Sequence, residues 1–483
     1  MMLSSRPLAA CFVLLAGSQV ACNAPDRVSA AENDVQSDRP NIILVMADDQ
    51  GWGDVAYNGH PFVQTPALDQ MAKDGLTLDR FYAAAPVCSP TRASVLTGRH
   101  PIRTKVTNHG RYMRPQEQTI AETLRDAGYV TGLFGKFHLG SGQPGTDCNP
   151  GGMGFDEWVV GLNFFDEDPF LSRNGTVEHR SGLGSVLTMD DALSFLEKHK
   201  DEGRPIFTVI WFPSPHDPHA EGLPTLPLYA DEENAGYYRE ISLLDSQVGR
   251  LRNNLRTMGI EDNTIVWYCS DNGGLVAESS GGRGRKGSIY EGGLRVPSVI
   301  EWPARGLRGS SEVPMSTSDM YPTLVSLAGV DLVAPHPLDG VDVSRVLSGE
   351  ALRRGRPMGF WHQIQAGQGT WSDAILEKIM KAQVAGAKGP HNAQRLRKDV
   401  DSFPQFDGGL TKGHAAWTDW PWKLHRIQGD RFELYQLLDD PKEEQDLSGK
   451  PRHAERLERM KGELDAWMRS VIGSLNGNDY RSQ

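Results

Sequence analysis

Four short and almost uninterrupted apolar runs limit the folds that are open to this chain. Their sequences are NIILVM (residues 41–46), VTGLF (130–134), IFTVIWF (206–212) and TIVWYCS (264–270). Apolar strands without polar alternation are typical of parallel sheets that are covered on both faces. Segments with helix start and stop signals lie between some of the runs, for example at residues 65–75 and 119–128. The pattern predicts an α/β fold with a large, mostly parallel central sheet sandwiched by helices.

Polar residues follow each of these predicted strands. In chain order they are Asp48 and Asp49, Lys136 and His138, His216, and Asp271 and Asn272. The carboxyl ends of parallel strands lie at one edge of a sheet, and ligands bind there in open α/β folds. We therefore expect these side chains to meet in one site. For an Asp-Asp pair taken alone, capping of a following helix is the simpler interpretation.

The chain has 483 residues, which is long enough for a large domain and a smaller one. We place the large domain at residues 40–345 and a smaller α+β domain at residues 346–483. Residues 414–435 are typical of a short antiparallel sheet, residues 457–472 have helical spacing, and an insert at 372–412 begins with a helix. The net charge of −12 argues against a nucleic-acid partner, although a few cations in a cleft suffice to bind an anionic substrate.

The first 22 residues have the pattern of an export signal. Arg6 precedes an apolar run at residues 8–17 that is too short to span a bilayer, and residues 19–22 resemble a lipoprotein processing site. We interpret residues 1–22 as a signal peptide with Cys22 as the lipidated residue, and ordinary signal cleavage is the alternative. Residues 23–39 suit a flexible linker. The protein is therefore expected to be exported, either to the periplasm or as a membrane-tethered lipoprotein.

Three of the five cysteines lie outside the predicted signal region, namely Cys88, Cys148 and Cys269. Three cysteines do not make a disulfide framework. Cys148 and Cys269 suit small buried positions, and a bond between them is an open alternative. Cys88 differs from both because of the residues that surround it.

Cys88 begins the segment CSPTRASVLTG (residues 88–98), whose core Cys-x-Pro-x-Arg includes Pro90 and Arg92. Together with PNIILVMADDQGWGD upstream and GKFHLG, SDNGG and KGSIYEGGLRVP downstream, this segment closely resembles type I sulfatases of the alkaline-phosphatase superfamily, in particular exported bacterial polysaccharide sulfatases. In that family a maturation enzyme oxidises the cysteine to formylglycine, and the hydrated aldehyde is the nucleophile. The resemblance implies the same modification of Cys88 and the same partner enzyme.

A calcium site is expected at the same place. Its candidate ligands are Asp48, Asp49, Asp271 and Asn272. They offer only hard oxygen donors, which suit calcium better than zinc or copper. Three neighbouring carboxylates would also repel one another without a cation. By resemblance, the modified Cys88 is a further ligand of the same ion.

The resemblance also implies roles for the other polar residues. Arg92 would brace the formylglycine, and Lys136 and Lys286 would hold the sulfate oxygens as point charges. His216 would contact the substrate and protonate the leaving alcohol oxygen, with help from Lys286. His138 would take a proton from the second hydroxyl of the sulfated hydrate, so that sulfate is expelled. Taken singly, such residues are more often solvated or structural groups.

The predicted activity is hydrolysis of sulfate esters on a sulfated polysaccharide or its oligosaccharides. Loop residues at 163–170, 361–362 and 391–397 are candidate sugar subsites, although ordinary loop packing explains them equally well. Two alternatives are a phosphoester or phosphonate hydrolase of the same superfamily, and a non-catalytic binder of sulfated glycans in which Cys88 is unmodified. The complete set of two lysines and two histidines favours sulfate hydrolysis.

Overall fold

The computed structural model describes residues 39–224, 227–387 and 405–480. The predicted signal peptide with Cys22, residues 23–38 of the predicted linker and the candidate sugar-subsite residues 391–397 lie outside the described residues. Within the described part of the chain, no helix is both long enough and apolar enough to cross a membrane. The division between residues 345 and 346 stays a prediction.

A ten-stranded sheet forms the centre of the molecule. In sheet order its strands are β11 (Gly309–Ser311), β2 (Leu76–Leu78), β10 (Ser298–Glu301), β9 (Thr264–Ser270), β1 (Asn41–Ala47), β8 (Ile206–Trp211), β4 (Val130–Lys136), β5 (Glu157–Gly161), β6 (Phe170–Arg173) and β7 (Thr176–His179). The four apolar runs form the adjacent strands β9, β1, β8 and β4, which are all parallel. Strand β10 is antiparallel to β9, and β6 and β7 are antiparallel to their neighbours. The prediction of a mostly parallel central sheet is confirmed.

Helices cover both faces of this sheet. The helices of the described residues are α1 (Pro66–Asp74), α2 (Cys88–Thr97), α3 (Ile120–Asp126), α4 (Gly184–His199), α5 (Ala235–Met258), α6 (Glu291–Leu294), α7 (Met320–Leu327), α8 (Ser344–Leu347), α9 (Ser372–Val384) and α10 (Ala454–Leu475). Ile42, Leu44 and Met46 of β1 pack into a core with α2, α3 and α7. Ile43 and Val45 pack into the core on the other face, with α1, α4 and α5. This double burial explains why β1 carries no polar alternation.

The predicted helix signals act as expected. Thr119 and Glu122 form a reciprocal capping box at the start of α3, with N···O distances of 3.1 and 2.9 Å. Pro66 occupies the first turn of α1, and the backbone of Gly75 caps its end. Local sequence therefore sets the ends of these two helices, while burial of their apolar faces holds them on the sheet.

A second, four-stranded antiparallel sheet lies towards the C-terminus. Its strands are β13 (Met358–His362), β14 (His414–Asp419), β15 (Trp422–Ile427) and β16 (Arg431–Gln436). Leu464, Met468 and Val471 of α10 pack against Leu424 and Leu434 of this sheet. The predicted antiparallel strands and the helix that follows them are confirmed. A separate parallel pair joins β3 (Phe81–Tyr82) to β12 (Met315–Ser316).

Strand β13 corrects one expectation. Residues 361–362 were candidates for a loop that contacts sugar, but they lie in β13. Trp361 is 1% exposed, and its indole nitrogen donates to the carbonyl of Lys412 at 2.8 Å. The aromatic side chain belongs to the core beneath the C-terminal sheet. Aromatic residues favour strands as well as binding sites, so this short run was ambiguous.

Gly135 of β4 offers a test of this packing. Its φ is +105°, and an added Cβ would lie 1.9 Å from the carbonyl oxygen of Trp211 in the neighbouring strand. We expect Gly135→Ala to lower the free energy of unfolding in urea by about 3 kcal/mol or more, because the neighbouring backbone has no room to move. As a control, Gly462→Ala in α10 meets no heavy atom within 4 Å and should raise stability by about 0.5–1 kcal/mol. Equal effects of the two substitutions would contradict the described packing.

Candidate active site

The parallel pairing of β1 and β9 brings four polar residues together. Ala47 and Ser270 are paired at the ends of these strands, so the next residues of both strands leave the sheet side by side. The backbone N–H of Asp49 donates to Asp271 at 3.1 Å, and the Asn272 amide donates to Asp49 at 2.7 Å. Asp48, Asp49, Asp271 and Asn272 are all fully buried. Asp49 has a φ of +71°, a strained backbone of the kind found at functional sites.

Arg92 of α2 reaches into this group of carboxylates. Its Nε and Nη2 atoms donate to one oxygen of Asp271 at 3.1 and 2.7 Å, and Nη1 donates to the carbonyl of Lys136 at 2.7 Å. Cys88 is the first residue of α2, so Arg92 lies one helical turn after it on the same face. This geometry explains the Cys-x-Pro-x-Arg spacing in physical terms.

Two lysines complete the balance of charge. Lys136, the last residue of β4, donates from its ammonium group to Asp48. Lys286 donates to Asp49 at 2.5 Å and is 24% exposed, so it lies at the rim of the site. Three carboxylates thus face three cations. Buried charges persist in proteins when they are paired in this way.

Two of the carboxylates titrate in opposite directions. Burial favours the neutral form of Asp48, but the opposing charges, led by that of Lys136, hold its pKa well below the ordinary value. Burial, together with repulsion from Asp48, raises the pKa of Asp271 despite its bond with Arg92. Like charges in one buried site do not ionise equally easily. A bound cation would relieve this repulsion.

Cys88 lies among these charges. It is 3% exposed, and burial raises the pKa of its thiol even though Lys136 opposes that shift. An unmodified Cys88 is therefore a protonated thiol at neutral pH and a poor nucleophile. Cys148 and Cys269 are both buried thiols, so the structure contains no disulfide bond between them.

The two predicted histidines differ in exposure. His138 is 3% exposed, and neither ring nitrogen has a hydrogen-bond partner in the described residues. Burial and the charge of Lys136 hold the pKa of His138 well below its ordinary value, so the ring is neutral. His216 is 20% exposed, with Nε2 3.6 Å from Asp49 and Nδ1 2.5 Å from the carbonyl of Asp217. Both rings interact electrostatically with the charged group, and His216 is the more exposed of the two.

The donor atoms fit a hard cation. The ligand atoms of Asp48, Cys88 and Asp271 lie within 4.8 Å of one another. Oδ1 of Asp48 and Oδ1 of Asn272 are buried and have no hydrogen-bond partner in the described residues. An unpartnered buried oxygen is unfavourable unless a water or an ion fills the gap. Calcium prefers oxygen ligands, and these four residues offer side-chain oxygens, two of which have no hydrogen-bond partner in the described residues.

A family model described as sulfatase matches residues 40–330. The chain belongs to the sulfatase family. It is 31% identical over 462 residues to the N-acetylgalactosamine-6-sulfatase of Sus scrofa, a match that covers 82% of this chain and 81% of the relative. It is 28% identical over 488 residues to arylsulfatase G of Rattus norvegicus, with 86% and 91% covered.

The fold of this sulfatase is similar to a solved structure across almost its whole length. The crystal structure of Ps i-CgsB in complex with k-i-k-neocarrahexaose superposes with a TM-score of 0.74 at 24% identity and covers 91% of this chain and 94% of that chain. Family membership makes the protein an enzyme, a sulfuric ester hydrolase. Members of this family generally use Ca²⁺ and formylglycine.

The sulfatase site also contains supporting residues that the sequence did not single out. Asp54 is fully buried and accepts hydrogen bonds from the hydroxyls of Tyr237 and Ser279. It fixes the loop that follows Asp49, and burial raises its pKa to about 6. Asp54 ends the QGWGD segment, which is part of the resemblance, and this position marks it as a candidate. Its partners Tyr237 and Ser279 lie on distant segments, so its role could not be predicted from the sequence.

Phe164 is the second residue of this kind. Its ring stacks on His216 with 5.1 Å between ring centroids. Position 164 lies in the loop that the sequence offered as a sugar subsite, without any role for the residue itself. The stacking holds the imidazole of His216 at the open side of the site.

Proposed function

We propose that this sulfatase removes sulfate from a sulfated glycan, with formylglycine at position 88 and a calcium ion beside it. The observation that carries the proposal is the cluster of three buried carboxylates and three cations around Cys88. Such a cluster offers a cation site on one side and anion-binding groups on the other. Its residues are Asp48, Asp49, Asp271 and Asn272 for calcium, and Arg92, Lys136 and Lys286 for the anion and the nucleophile.

The chemistry at position 88 supports the modification. A thiol is a soft ligand in a set of hard oxygen donors, and the thiol of Cys88 is also held in its protonated form. Conversion to formylglycine by a maturation enzyme replaces sulfur with the oxygens of an aldehyde hydrate. When present, the hydrate supplies the nucleophile, and calcium supplies a positive charge that favours its ionised form. Arg92, one turn along α2, holds the backbone of β4 and Asp271 around this position.

Lys136 and Lys286 suit the sulfate oxygens. Both act on Cys88 by lowering the pKa of its thiol, although burial dominates, so both ammonium groups are close to the reacting position. Cations held in a buried site stabilise the charge that develops on sulfate oxygens in the transition state. Since Lys286 is partly exposed and Lys136 is fully buried, the two groups would hold the anion from the rim and from the floor.

The two histidines suit opposite proton transfers. His216 lies at the rim, where the alcohol part of a substrate would lie, and its Nε2 is the ring nitrogen that faces the cluster. We assign it to protonation of the leaving oxygen. His138 is buried and neutral, with both nitrogens unpartnered in the described residues, so it can accept a proton from a hydroxyl at position 88. This second transfer would release sulfate and regenerate the aldehyde.

A sulfated carbohydrate is the substrate class that we favour. The N-acetylgalactosamine-6-sulfatase relative, 31% identical over 462 residues, acts on a sulfated sugar according to its name. The rim also suits a sugar, because the ring of Phe164 stacks on His216 there and the neighbouring Asn163 amide donates to the carbonyl of Thr370. Export, expected from residues 1–22, would place the enzyme where sulfated polysaccharides occur.

Calcium binding gives the first test of this proposal. Ca²⁺ at about one hundred times its dissociation constant is expected to raise the free energy of unfolding by about 2.7 kcal/mol relative to EDTA, because only the folded protein has the site. Asp48→Asn should lose most of this increase, since it removes charge from an unpartnered oxygen. Asp190→Asn, at an exposed ion pair with Arg250, serves as control. An equal calcium effect in all three proteins would exclude Asp48 as a ligand.

Turnover gives the second test. The matured enzyme is expected to hydrolyse N-acetylgalactosamine 6-sulfate or 4-nitrophenyl sulfate faster than 4-nitrophenyl phosphate, and Cys88→Ala should abolish turnover. Lys136→Met is expected to lower kcat by about 10²–10³-fold, as loss of one oxyanion-stabilising group does elsewhere. Lys198→Met removes a lysine that is 59% exposed and should leave the rate unchanged. Faster hydrolysis of phosphate than of both sulfates would favour the phosphoesterase alternative instead.

A further inference from the structure

Two loops are held together beside Cys88. The first comprises residues 107–111, and the second comprises residues 365–370, which follow β13. The Asn108 side chain donates to the carbonyl of Gln365 at 2.8 Å, and the backbone N–H of Gln368 donates to the carbonyl of His109 at 2.9 Å. Gly110 has a φ of +72°, and an added Cβ would lie 2.1 Å from the carbonyl oxygen of Gln368. The close approach of the two loops therefore requires glycine at position 110.

A small polar pocket lies between these loops, and we call it the side pocket. It has a volume of about 110 Å³, which is large enough for a small oxyanion and a water molecule. Its polar lining comes from Lys105, Arg111, Gln365, Gln368 and Thr370. Among the described residues that line it, none carries a carboxylate. In a chain with a net charge of −12, a pocket lined by cations and amides is suited to an anion.

Arg111 is the residue that points to a ligand. Its Nη2 donates to the carbonyl of Ala366 at 2.9 Å, which fixes the guanidinium against the second loop. The guanidinium also lines the side pocket, so an anionic group there would accept a charge-assisted hydrogen bond from it.

The side pocket borders the active site at two points. On one side, the backbone N–H of Gly110 donates to the hydroxyl of Ser89 at 2.9 Å, and Ser89 adjoins Cys88. On the other side, the Asn163 amide donates to the carbonyl of Thr370 at 2.9 Å. Asn163 directly precedes Phe164, whose ring stacks on His216. A sugar whose sulfate lies at Cys88 and whose leaving oxygen faces His216 would therefore have neighbouring substituents close to this pocket.

The electrostatics of the exposed His109 agree with this placement. Burial of part of its ring is the largest cause that lowers its pKa, followed by the charges of Lys286, Lys136 and Arg111. The side-pocket arginine and the two active-site lysines thus act on the same ring. The side pocket and the active site are therefore close enough for one ligand with two anionic groups to bind in both.

We propose that the side pocket binds a second anionic group of the substrate, so that this sulfatase prefers saccharides carrying an anion in addition to the sulfate that is removed. The inference rests on the proposed function, because it assigns the first sulfate to position 88. The second group is a sulfate ester or a uronate carboxylate. Both present the planar or tetrahedral set of oxygens that a guanidinium recognises. Arg111 is the residue that determines this preference.

Three saccharides with the same 6-sulfate test the proposal and distinguish the two sources. They are N-acetylgalactosamine 6-sulfate, N-acetylgalactosamine 4,6-disulfate, and the chondroitin 6-sulfate disaccharide, which adds a uronate carboxylate. We expect the matured enzyme to show a kcat/KM about 10–100-fold higher for at least one of the two doubly charged substrates, the gain of one charge-assisted hydrogen bond. Arg111→Met should remove this preference, so that the three substrates are hydrolysed with similar kcat/KM, and Arg111→Lys should retain part of it. The preferred substrate of the two shows whether the side pocket binds a sulfate ester or a uronate carboxylate.

A binding measurement separates failure of the pocket from failure of the proposed function. In calorimetry with the Cys88→Ala protein, one doubly charged saccharide should bind at least about 10-fold more tightly than the monosulfate, and adding Arg111→Met should abolish the difference. Arg204→Met is the matched control, because Arg204 also donates to backbone carbonyls, those of Gly128 and Tyr129, away from the site. Equal or absent binding of the three saccharides, or an unchanged preference in Arg111→Met, would overturn the side-pocket proposal. Absence of turnover on every sulfate, with the binding preference intact, would instead count against the proposed function.

Discussion

Three carboxylates are buried together at the carboxyl ends of β1 and β9, and the surrounding structure is arranged to compensate their charge. A buried ion that loses its partner is strongly destabilising, commonly by about 3–5 kcal/mol. The compensating cations come from three separate elements, namely helix α2, strand β4 and the loop before α6. The parallel order β9-β1-β8-β4 brings the ends of these strands to one edge of the sheet. The arrangement that compensates the buried charges also brings carboxylate oxygens and ammonium groups to one place, as the proposed calcium and sulfate sites require.

The C-terminal sheet takes part in the site, although none of the predicted catalytic residues lies in it. Lys423 of β15 is fully buried and donates to Glu291 at 2.8 Å, and it lies 3.1 Å from Glu443. Glu443 in turn accepts from the backbone N–H of Glu291 at 2.6 Å. These contacts anchor the segment that carries Lys286 five residues earlier. Because the loop after β13 also forms one wall of the side pocket, the small sheet positions both the segment that carries Lys286 and that wall.

Sequence patterns could predict most of the residues around Cys88, because these residues directly follow predicted strands or share one short motif. Asp48, Asp49, Asp271 and Asn272 directly follow apolar strands, so strand prediction and the geometry of parallel sheets bring them together without knowledge of any tertiary contact. The fixed spacing of Cys88 and Arg92 on one helix could be predicted in the same way. Lys286 lies in a glycine-rich loop, and only the resemblance indicated its role. Sequence patterns of this kind do not reveal contacts between distant segments.

The side pocket and the anchoring of the Lys286 segment depend on such distant contacts. Lys423 and Glu291 are 132 positions apart, and Gly110 and Gln368, which also meet, are much farther apart in the sequence. Trp361 was a candidate for a sugar subsite or for ordinary packing, because a short aromatic run does not distinguish a binding loop from a buried strand. A single arginine in a loop is usually solvated, so no sequence pattern distinguishes Arg111. Its place in the wall of the side pocket is visible only in the folded structure.

The chemical state of position 88 tests the central claim most directly. Trypsin cuts after Arg80 and Arg92, so residues 81–92 form a single peptide that contains Cys88. Mass spectrometry of this peptide should be carried out on protein from its own host, or on protein co-expressed with a formylglycine-generating enzyme. We expect a mass about 18 Da below that of the unmodified peptide, the change from thiol to aldehyde that creates the nucleophile. An unmodified Cys88 in protein that hydrolyses sulfate esters would contradict formylglycine catalysis and require another nucleophile.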